Sequence, residues 1–397
     1  MLIGVVGAPN KGKSTFFSAV TMVDAAIANY PFTTVTANRG VAYVRAPCPH
    51  VALGLSKCTP KNSRCANGTR LVPVGIIDTP GLVPDAYKGR GLGNKFLDSI
   101  READAIVQVV DATGKTDLHG NPCDSCDPAE EIAFLKNEIA MWIADIVSRK
   151  GAKHLPVKDA AASLSGLKIS EIMLLSACKE CGLDVSDGAM PDEEGLKRIA
   201  RELVEKRFPI AVAFNKIDVA GTMGNFEKAK LDSGEESEGA SGNGMANLFA
   251  CSAAIELALR KAAERGIILY TPGSADFEVV GTPDDRQNEA LRKMKAFLGA
   301  NGGSGVQEII DWVVYTKLRG IVVYPVEDEH RYSNHRGEVL PDAYLVPSGT
   351  TAVQLAGMVH TDLADRFIGA VDAKRHIRMG AEHVLENGDV VKIVAGR

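Results

Sequence analysis

The sequence predicts an α/β fold with a mostly parallel sheet, a helical insertion and a small C-terminal α+β domain. In the first part of the chain, short continuous apolar runs alternate with helical patterns, which is typical of parallel strands that helices cover on both faces. Between Val110 and Ile210 the strand patterns stop and only helical spacing remains. After Trp312, strand patterns flank a single helix, which favours a separate α+β domain.

The composition sets limits on size and partners. The chain has 397 residues, is 45% hydrophobic and carries a formal net charge of -5, so it can hold about two to three domains. An acidic balance excludes a general electrostatic attraction to nucleic acid or to anionic membranes. The first apolar run is far shorter than a membrane span and has no charged leader. We therefore expect a cytoplasmic protein that does not use a membrane.

Five apolar, mostly β-branched runs are the predicted strands of the first part. They cover residues 2–6, 41–44, 74–77, 105–110 and 210–214. In the insertion, apolar residues recur at helical spacing over 129–147, after an Asp127-Pro128 pair that is typical of a helix N-terminus. Two more helical patterns cover 170–178 and 192–206.

The last part of the chain shows strand patterns at 322–325, 343–346 and 389–394, and a helix pattern over 351–364. Upstream of it, residues 232–243 include no large apolar side chain, so burial cannot offset the entropy of ordering them. We expect this run to be a mobile surface loop.

A glycine-rich loop follows the first predicted strand and precedes a helical pattern, as a phosphate-binding loop requires. Its glycines let the backbone close around phosphates, and amides at the helix start donate to them. Lys13 would neutralise the β- and γ-phosphates, and the Ser14 hydroxyl would ligate Mg²⁺. The pattern predicts a nucleoside triphosphate site. The loop residues are Gly7, Ala8, Pro9, Asn10, Lys11, Gly12, Lys13, Ser14 and Thr15.

A second motif, Asp78-Thr79-Pro80-Gly81, lies just after another buried strand. There the Asp78 carboxylate can hold the magnesium shell through water, and the Gly81 amide can sense the γ-phosphate. Turns of this composition are common in loops, so the assignment depends on the phosphate-binding loop being present.

The third motif, Asn215-Lys216-Ile217-Asp218, ends a further strand, at the edge where open α/β sheets bind ligands. The Asp218 carboxylate can accept hydrogen bonds from the ring N–H and the exocyclic amine of guanine. Adenine would leave this carboxylate poorly paired, at a cost of about 1 to 3 kcal/mol. The motif therefore favours GTP.

Ser252 and Ala253 belong to a small-residue loop whose amides could reach the guanine carbonyl. Two such residues carry little information alone, and their weight comes from following the other three motifs. The four motifs in this order resemble the translation-factor class of GTPases.

Finer details resemble one family, the Obg GTPases. Asn10 in the phosphate-binding loop and the segments 30–34 and 89–97 carry this resemblance. The insertion, and residues 345–351 before a helix, resemble the YchF-related archaeal members, which end in a TGS domain. The resemblance implies a P-loop G domain over 1–115 and 208–315, a helical insertion over 116–207 and a β-grasp TGS domain over 320–397.

The resemblance also implies roles for single residues. Lys13, Thr34 and Gly81 become the catalytic set. Thr34 would act as the switch threonine, completing the Mg²⁺ shell that Ser14 and Asp78 begin.

Two further positions bear on the rate. By resemblance, Asn10 is a ligand of an activating K⁺ ion. Leu82 stands where Ras-like proteins carry a glutamine that orients water, and leucine cannot polarise water. We therefore expect slow intrinsic hydrolysis, compensated by K⁺ or by a partner that reorders residues 82–97.

These motifs together predict an enzyme that hydrolyses GTP to GDP and phosphate. Its nucleotide state would order or release residues 30–36 and 82–97, and by resemblance its partner is the ribosome or RNA, reached through the TGS domain. Two alternatives remain open: a YchF-type ATPase, and a nucleotide-stabilised scaffold on RNA or the ribosome with negligible turnover. YchF carries a different base motif, so Asp218 ranks GTP above ATP.

Eight cysteines are too few for a disulfide scaffold in this chain, and the cytosol would keep them as free thiols. Zinc is an alternative, because ligand spacing occurs in three places. These are the pairs Cys123/Cys126 and Cys178/Cys181 and the looser group Cys48, His50, Cys58 and Cys65. The two pairs lie too far apart for a zinc ribbon, and the second suits small core residues. We expect free thiols and leave zinc open.

The C-terminal domain has one compact basic run, residues 374–378. From Gly320 to Arg397, however, 8 Lys and Arg face 11 Asp and Glu, so phosphate binding is not the default behaviour of this domain. A solvated strand edge is the ordinary interpretation of the run.

Overall fold

A computed structural model describes residues 1–21, 38–88, 93–150, 155–183, 185, 189–232 and 247–396, with the backbone alone at 93–95. Three predicted features lie outside these residues. They are the segment 30–36 with Thr34, the residues 89–92, and the predicted loop 232–243 apart from Asp232, which ends a helix.

The described strands are β1 (Leu2–Val6), β2 (Arg39–Pro47), β3 (Arg64–Ala66), β4 (Thr69–Asp78), β5 (Ala105–Asp111), β6 (Ile210–Asn215), β7 (Leu248–Cys251), β8 (Ile268–Leu269), β9 (Glu278–Val279), β10 (Gly320–Val326), β11 (Tyr344–Pro347), β12 (Phe367–Asp372), β13 (Ile377–Met379) and β14 (Val390–Ala395).

The described helices are α1 (Lys13–Thr21), α2 (Pro49–Ala52), α3 (Gly93–Glu102), α4 (Pro128–Ser148), α5 (Val157–Leu164), α6 (Glu171–Glu180), α7 (Glu193–Arg207), α8 (Thr222–Asp232), α9 (Ala253–Glu264), α10 (Asp285–Asn301), α11 (Val306–Trp312), α12 (Ala352–Val359) and α13 (Thr361–Asp365). Short 3₁₀ turns cover Ala86–Lys88 and Ser165–Leu167, and a π-helical turn covers Val313–Lys317.

The larger of two compact units comprises Leu2–Ala19 and Ile76–Ile309. In its sheet, β1, β5, β6 and β7 are parallel neighbours in that order, and the end of β4 lies on the other side of β1. The register pairs Asp111 with Asn215 and Asn215 with Cys251. Three strands therefore end at one edge, where open parallel sheets bind ligands.

The insertion packs onto this sheet through a continuous apolar core. Ile106 and Val110 of β5 belong to the same buried cluster as Ile139 of α4 and Leu203 of α7. The predicted insertion helices are present as α4, α6 and α7, each within about two residues of its predicted ends. Side-chain caps from Asp127, Ser170 and Asp192 begin the three helices.

Among the described residues, no single helix is both long and apolar enough to cross a bilayer. One pair, Val157–Leu167 with Glu171–Glu180, bent by 112°, meets the criterion by length and composition only.

The smaller unit comprises Met1, Val20–Gly75 and Ile310–Arg397. There β3 is antiparallel to β4. A separate sheet has the strand order β11-β10-β14-β12-β13, in which only β10 and β14 are parallel. Leu355 of α12 packs with Val323 and Val391 of this sheet. The predicted fold class, an α/β domain with a mostly parallel sheet and a C-terminal α+β domain, is confirmed.

The single helix predicted over 351–364 is wrong, because the structure has two helices there. His360, between α12 and α13, is extended with φ -160° and ψ 137°. Its Nδ1 accepts a hydrogen bond from the Asp362 amide at 3.2 Å and so caps α13. The side-chain cap gives the backbone an alternative to continuing the helix.

The expectation of free thiols is wrong for Cys123 and Cys126, which form a disulfide with their Cα atoms 6.1 Å apart. The loop that carries them turns back on itself, because Thr116 bridges Pro122 and the Cys126 amide donates to the Gly114 carbonyl at 2.9 Å. This turn brings the two side chains within bonding reach. The other cysteines are free, and Cys178 is buried in the core as expected.

Candidate functional site

The glycine-rich loop leaves β1 at Val6 and enters α1 at Lys13. A Cβ added to Gly12, where φ is +93°, would lie 2.3 Å from Nδ2 of Asn215. One added to Gly7 would lie 2.4 Å from the Val109 carbonyl oxygen. Only glycine fits both positions, so the loop packs directly against the ends of the neighbouring strands.

Lys13 places a buried ammonium group inside this loop. Its Nζ donates to the Ala8 carbonyl at 2.8 Å. Burial lowers the pKa of Lys13, while the carboxylates of Asp78 and Glu131 oppose that shift. A partly desolvated cation inside a backbone loop suits the binding of phosphate oxygens.

Ser14 and Asp78 face each other beside the loop, with Ser14 Oγ 3.3 Å from Asp78 Oδ2. Burial raises the pKa of Asp78, and Lys13 and Ser14 oppose the shift. Its Oδ1 is buried and has no hydrogen-bond partner among the described residues. A buried carboxylate oxygen in this state is costly unless a cation or water satisfies it. The pair therefore fits Mg²⁺, which prefers oxygen ligands.

The segment after β4 is fastened to the glycine-rich loop. Thr79 Oγ1 donates to the Val5 carbonyl at 2.8 Å, and the Leu82 amide donates to the Gly7 carbonyl at 3.1 Å. Gly81 lies against Pro9, because an added Cβ would sit 3.1 Å from its ring. The Leu82 side chain is 1% exposed and packs in the core, so it has no part in orienting water.

Asn215 joins two loops of the site. Its Nδ2 donates to the Lys11 carbonyl at 3.1 Å, and its Oδ1 accepts from the Ala253 amide at 3.0 Å. The structure thus brings the glycine-rich loop and the Ser252-Ala253 loop together through one buried side chain.

Lys216, next to Asn215 in the chain, also contacts the glycine-rich loop. Its Nζ donates to the Asn10 carbonyl at 3.1 Å and to Asp111 Oδ2 at 2.8 Å. Burial would raise the pKa of Asp111, but hydrogen bonds from Lys216, Thr113 and Thr116 outweigh it and lower the pKa. Asp111 is therefore a charged anchor for Lys216.

Asp218 lies exposed at the rim of the site. The Ser252 hydroxyl donates to its Oδ1 at 2.6 Å and accepts from the Ile255 amide, which caps α9. Since a carboxylate has about four acceptor positions, Asp218 keeps acceptors for a ligand while Ser252 fixes its orientation.

The Lys11 side chain makes contacts within the protein and is not available to a nucleotide. It is fully buried and donates to the Thr116 carbonyl and to Thr116 Oγ1, both at 2.8 Å, and to the Glu131 carboxylate. Only its backbone is left to contact a nucleotide. Thr15 lies half-buried in the first turn of α1.

Asn10 has φ 63°, and its side-chain Nδ2 donates to the Gly120 carbonyl at 2.9 Å. Its amide oxygen is the atom that a K⁺ ion would need as a ligand. The loop between β5 and α4 therefore also holds the glycine-rich loop, because Thr116 and Gly120 accept hydrogen bonds from Lys11 and Asn10.

Sequence reasoning missed the buried carboxylates of α4, Glu131 and Glu138. Glu138 accepts from the Asp85 and Tyr87 amides at 3.0 and 3.3 Å. The signal was present, because Glu131, Leu135 and Glu138 recur at helical spacing on the apolar face.

Family models match three parts of the chain. They are described as 50S ribosome-binding GTPase over 2–145, Obg-like GTPase YGR210-like, G4 motif-containing domain, over 213–328, and TGS domain over 335–395. The GTP-binding protein MJ1332 of Methanocaldococcus jannaschii is 44% identical over 407 residues, covering 99% of each chain. The chain belongs to the Obg-like, YchF-related family of GTP-binding proteins.

Other members of this Obg-like family also align along nearly the whole chain. The GTP-binding protein C428.15 of Schizosaccharomyces pombe is 34% identical over 392 residues, covering 93% of this chain and 92% of its own. The ribosome-binding ATPase YchF of Bacillus subtilis is 26% identical over 412 residues, covering 98% and 97%.

Solved structures agree with the family fold. The crystal structure of a GTP-binding protein from Pyrococcus horikoshii has a TM-score of 0.74 and 35% identity, and both chains are covered completely. The YchF GTPase of S. pombe has a TM-score of 0.56 at 21% identity, covering 99% of this chain and 97% of its own. The second comparison supports the fold alone.

Proposed function

We propose that this Obg-like protein hydrolyses GTP to GDP and phosphate in the cytoplasm and uses its nucleotide state to control a ribosomal partner. The observation that carries the proposal is the position of Asn215. One buried side chain holds both the phosphate-binding loop, at the Lys11 carbonyl, and the base-side loop, at the Ala253 amide. This link between the two loops supports one preorganised site for phosphate and base.

At the phosphate end, Lys13 and the loop amides bind and orient the β- and γ-phosphates. Ser14, Asp78 and the switch residue Thr34 would hold Mg²⁺, which when bound neutralises charge that develops on the phosphates. Gly81, fixed beside Pro9, presents a backbone amide for the γ-phosphate. These groups position and stabilise charge, which is most of what phosphoryl transfer to water needs.

At the base end, Asp218 accepts hydrogen bonds from guanine. The Ser252 and Ala253 amides already donate to the Ser304 carbonyl and to Asn215 Oδ1, so these two residues bind the base by fixing the loop beside it. The Ser252 hydroxyl, 2.6 Å from Asp218, holds the carboxylate in place. GTP is therefore the substrate rather than ATP.

The reaction is slow in the isolated protein, because the buried Leu82 side chain cannot orient water. Asn10, whose amide is held at Gly120, would supply an oxygen ligand for a stimulating K⁺ ion. A partner that reorders residues 82–97 would accelerate hydrolysis further.

The switch signal leaves the site through the segment after Gly81. Glu138 of α4 accepts hydrogen bonds from the amides of Asp85 and Tyr87, so movement of that segment with the γ-phosphate is passed to the insertion.

The proposed domains are a G domain (1–115 and 208–315), an insertion (116–207) and a TGS domain (320–397).

We propose a ribosomal partner because one relative, YchF of Bacillus subtilis, is a ribosome-binding ATPase. The TGS domain is the proposed contact, with RNA or ribosomal protein. Its basic run, residues 374–378, is exposed and covers the turn after β12 and the first two residues of β13. Within this run, Arg375 lies near Asp372 and Glu386.

Steady-state phosphate release from Mg·GTP tests hydrolysis. We expect slow turnover in KCl, slower turnover in NaCl, and none in Lys13→Ala. The control Lys136→Ala removes a half-buried lysine that pairs with Glu205 and should retain wild-type turnover. If no condition gives turnover above background, with or without ribosomes, the protein is a nucleotide-stabilised scaffold.

A titration with GTP and ATP tests whether the protein is instead a YchF-type ATPase. The proposal expects GTP to bind at least about tenfold more tightly, the equivalent of one well-made hydrogen-bond pair. Equal or tighter ATP binding would show that Asp218 does not select the base and would favour a YchF-type ATPase.

A further inference from the structure

Four side chains with metal-binding atoms converge in the smaller unit. Cys48 directly precedes α2, and His50 lies within that helix. Cys58 lies in the following loop and Cys65 in β3. None of them contributes to the proposed reaction.

Their ligand atoms form one compact group, all within 4.8 Å of one another. Cys48 Sγ is 3.8 Å from Cys58 Sγ, and Cys65 Sγ is 3.8 Å from His50 Nδ1. A tetrahedral zinc ion with bonds of about 2.3 Å to sulfur and 2.0–2.1 Å to nitrogen separates its ligand atoms by roughly 3.6 to 3.8 Å. The two separations of 3.8 Å match these values, and the whole group, within 4.8 Å, is compact enough to close around one ion.

A buried cation beside the group gives a second, independent indication. Arg70 is fully buried, its Nη1 donates to Cys58 Sγ at 3.7 Å, and its Nη2 donates to the Leu340 carbonyl. Its Nε has no hydrogen-bond partner among the described residues, and its positive charge acts on the Asp342 carboxyl without a hydrogen bond between them. A buried charge that is only partly compensated is costly.

A bound zinc ion would explain why a positive charge is buried at Arg70. Zn²⁺ with three thiolates and one neutral imidazole carries a single net negative charge, which Arg70 would balance. Three neutral thiols would leave the guanidinium with only the partial compensation that Asp342 provides. The charge of the surroundings therefore fits a metal-bound cluster.

We propose that Cys48, His50, Cys58 and Cys65 bind a structural zinc ion. Four protein ligands close the coordination sphere, so the site is structural rather than catalytic.

The loop that the zinc would fix also holds the chain from 338 to 343. The Thr59 amide donates to the Val339 carbonyl at 2.9 Å, and the Lys61 amide to the Pro341 carbonyl at 2.7 Å. Asn62 exchanges hydrogen bonds of 3.1 and 2.9 Å with the Ala343 backbone. The ion would thus stabilise the connection between this loop and the segment that leads into β11.

Elemental analysis of the untagged full-length protein, purified without added metal, tests the proposal. We expect close to one zinc per chain after dialysis. Co²⁺ exchanged into the protein should give an intense thiolate-to-cobalt charge-transfer band. Zinc well below stoichiometric in folded protein, with no such band after cobalt addition, would overturn the proposal.

Substitutions locate the site. Cys58→Ser and His50→Ala should each lower the zinc content at least about tenfold, whereas Cys181→Ser, a free and half-buried cysteine outside the group, should retain it. Because the first two variants risk misfolding, His50→Cys supplies the decisive case. It should keep zinc and strengthen the cobalt band with a fourth thiolate. Wild-type zinc content in Cys58→Ser, or loss of zinc in Cys181→Ser, would contradict the assignment.

Discussion

Asn215 is the residue on which the geometry of the nucleotide site depends most. Its side chain is 3% exposed and satisfies the Lys11 carbonyl and the Ala253 amide. Removing it leaves two backbone groups unpaired, each at a cost of about 1–3 kcal/mol. The loops on either side would then no longer share a fixed position.

We therefore predict that Asn215→Ala lowers the free energy of unfolding by about 2–4 kcal/mol and weakens GTP binding at least about tenfold. Urea denaturation and nucleotide titration measure the two effects. The matched control is Asn225→Ala, which loses one hydrogen bond to the Ala112 carbonyl. It should cost about 1 kcal/mol and leave GTP affinity unchanged. Equal losses of affinity in both variants would refute the role given to Asn215.

Glu131 makes the free energy of unfolding depend on pH. Burial raises its pKa from 4.5 to about 7, although Lys11 favours the charged carboxylate. The folded protein therefore holds this proton more tightly than the unfolded chain does. The stability associated with Glu131 is fully present below pH 4.5 and is lost as the pH rises towards about 7.

The measurement is urea denaturation of wild type and Glu131→Gln across this range. The unfolding free energy of wild type minus that of the variant should fall as the pH rises, by at most about 1.4 kcal/mol for each pH unit between the two pKa values. A difference that increases with pH would mean that the Lys11 ion pair outweighs burial.

At the scale of elements, α4 connects the nucleotide site to the insertion. Glu131 at its start pairs with Lys11, and Glu138, two turns later, accepts the Asp85 and Tyr87 amides. One rigid helix therefore contacts both the phosphate-binding loop and the segment that follows Gly81.

Glu138→Ala should release that segment from α4. We predict that hydrogen exchange at the Asp85 and Tyr87 amides becomes at least about tenfold faster, because each loses a charge-assisted hydrogen bond. Lys136→Ala, which removes a half-buried lysine of the same helix that pairs with Glu205, is the control and should leave exchange there unchanged. Unaltered exchange in Glu138→Ala would show that other contacts hold the segment.

Elements with strong local signals were predictable from the sequence. The buried apolar runs gave five strands of the first part, and periodicity gave α4, α6 and α7. The division between α12 and α13 was not predictable, because the apolar pattern continues through His360, whose side chain caps the second helix. Short strands such as β8 and β13 depend on pairing partners rather than on their own pattern.

At the scale of the whole molecule, bound nucleotide should stabilise the protein by mass action. We predict that a non-hydrolysable GTP analogue at 100 times its Kd adds about 2.7 kcal/mol, seen as a rise in Tm by differential scanning calorimetry. EDTA should reduce the rise if Ser14 and Asp78 hold Mg²⁺ together with the phosphates, as proposed. An equal rise with and without EDTA would contradict the magnesium assignment.

The candidate site was predictable where its residues form contiguous motifs at strand ends, as with Lys13, Asp78 and Asp218. The residues that brace those motifs were not predictable in the same way. Glu131 is 120 residues from Lys11 in the chain, and the link between them exists only after folding. The Cys48 cluster was visible as a loose group, but its convergence beside Arg70 required the structure.

Selection of guanine by Asp218 is the central feature of the proposed function. The most direct test is kcat/KM for GTP and for xanthosine triphosphate in wild type and Asp218→Asn. An amide in place of the carboxylate accepts poorly from guanine and can donate to the second carbonyl of xanthine. We predict that the variant loses roughly 10- to 100-fold of its GTP turnover and gains turnover of the xanthine nucleotide. An unchanged preference for GTP would contradict the proposed site.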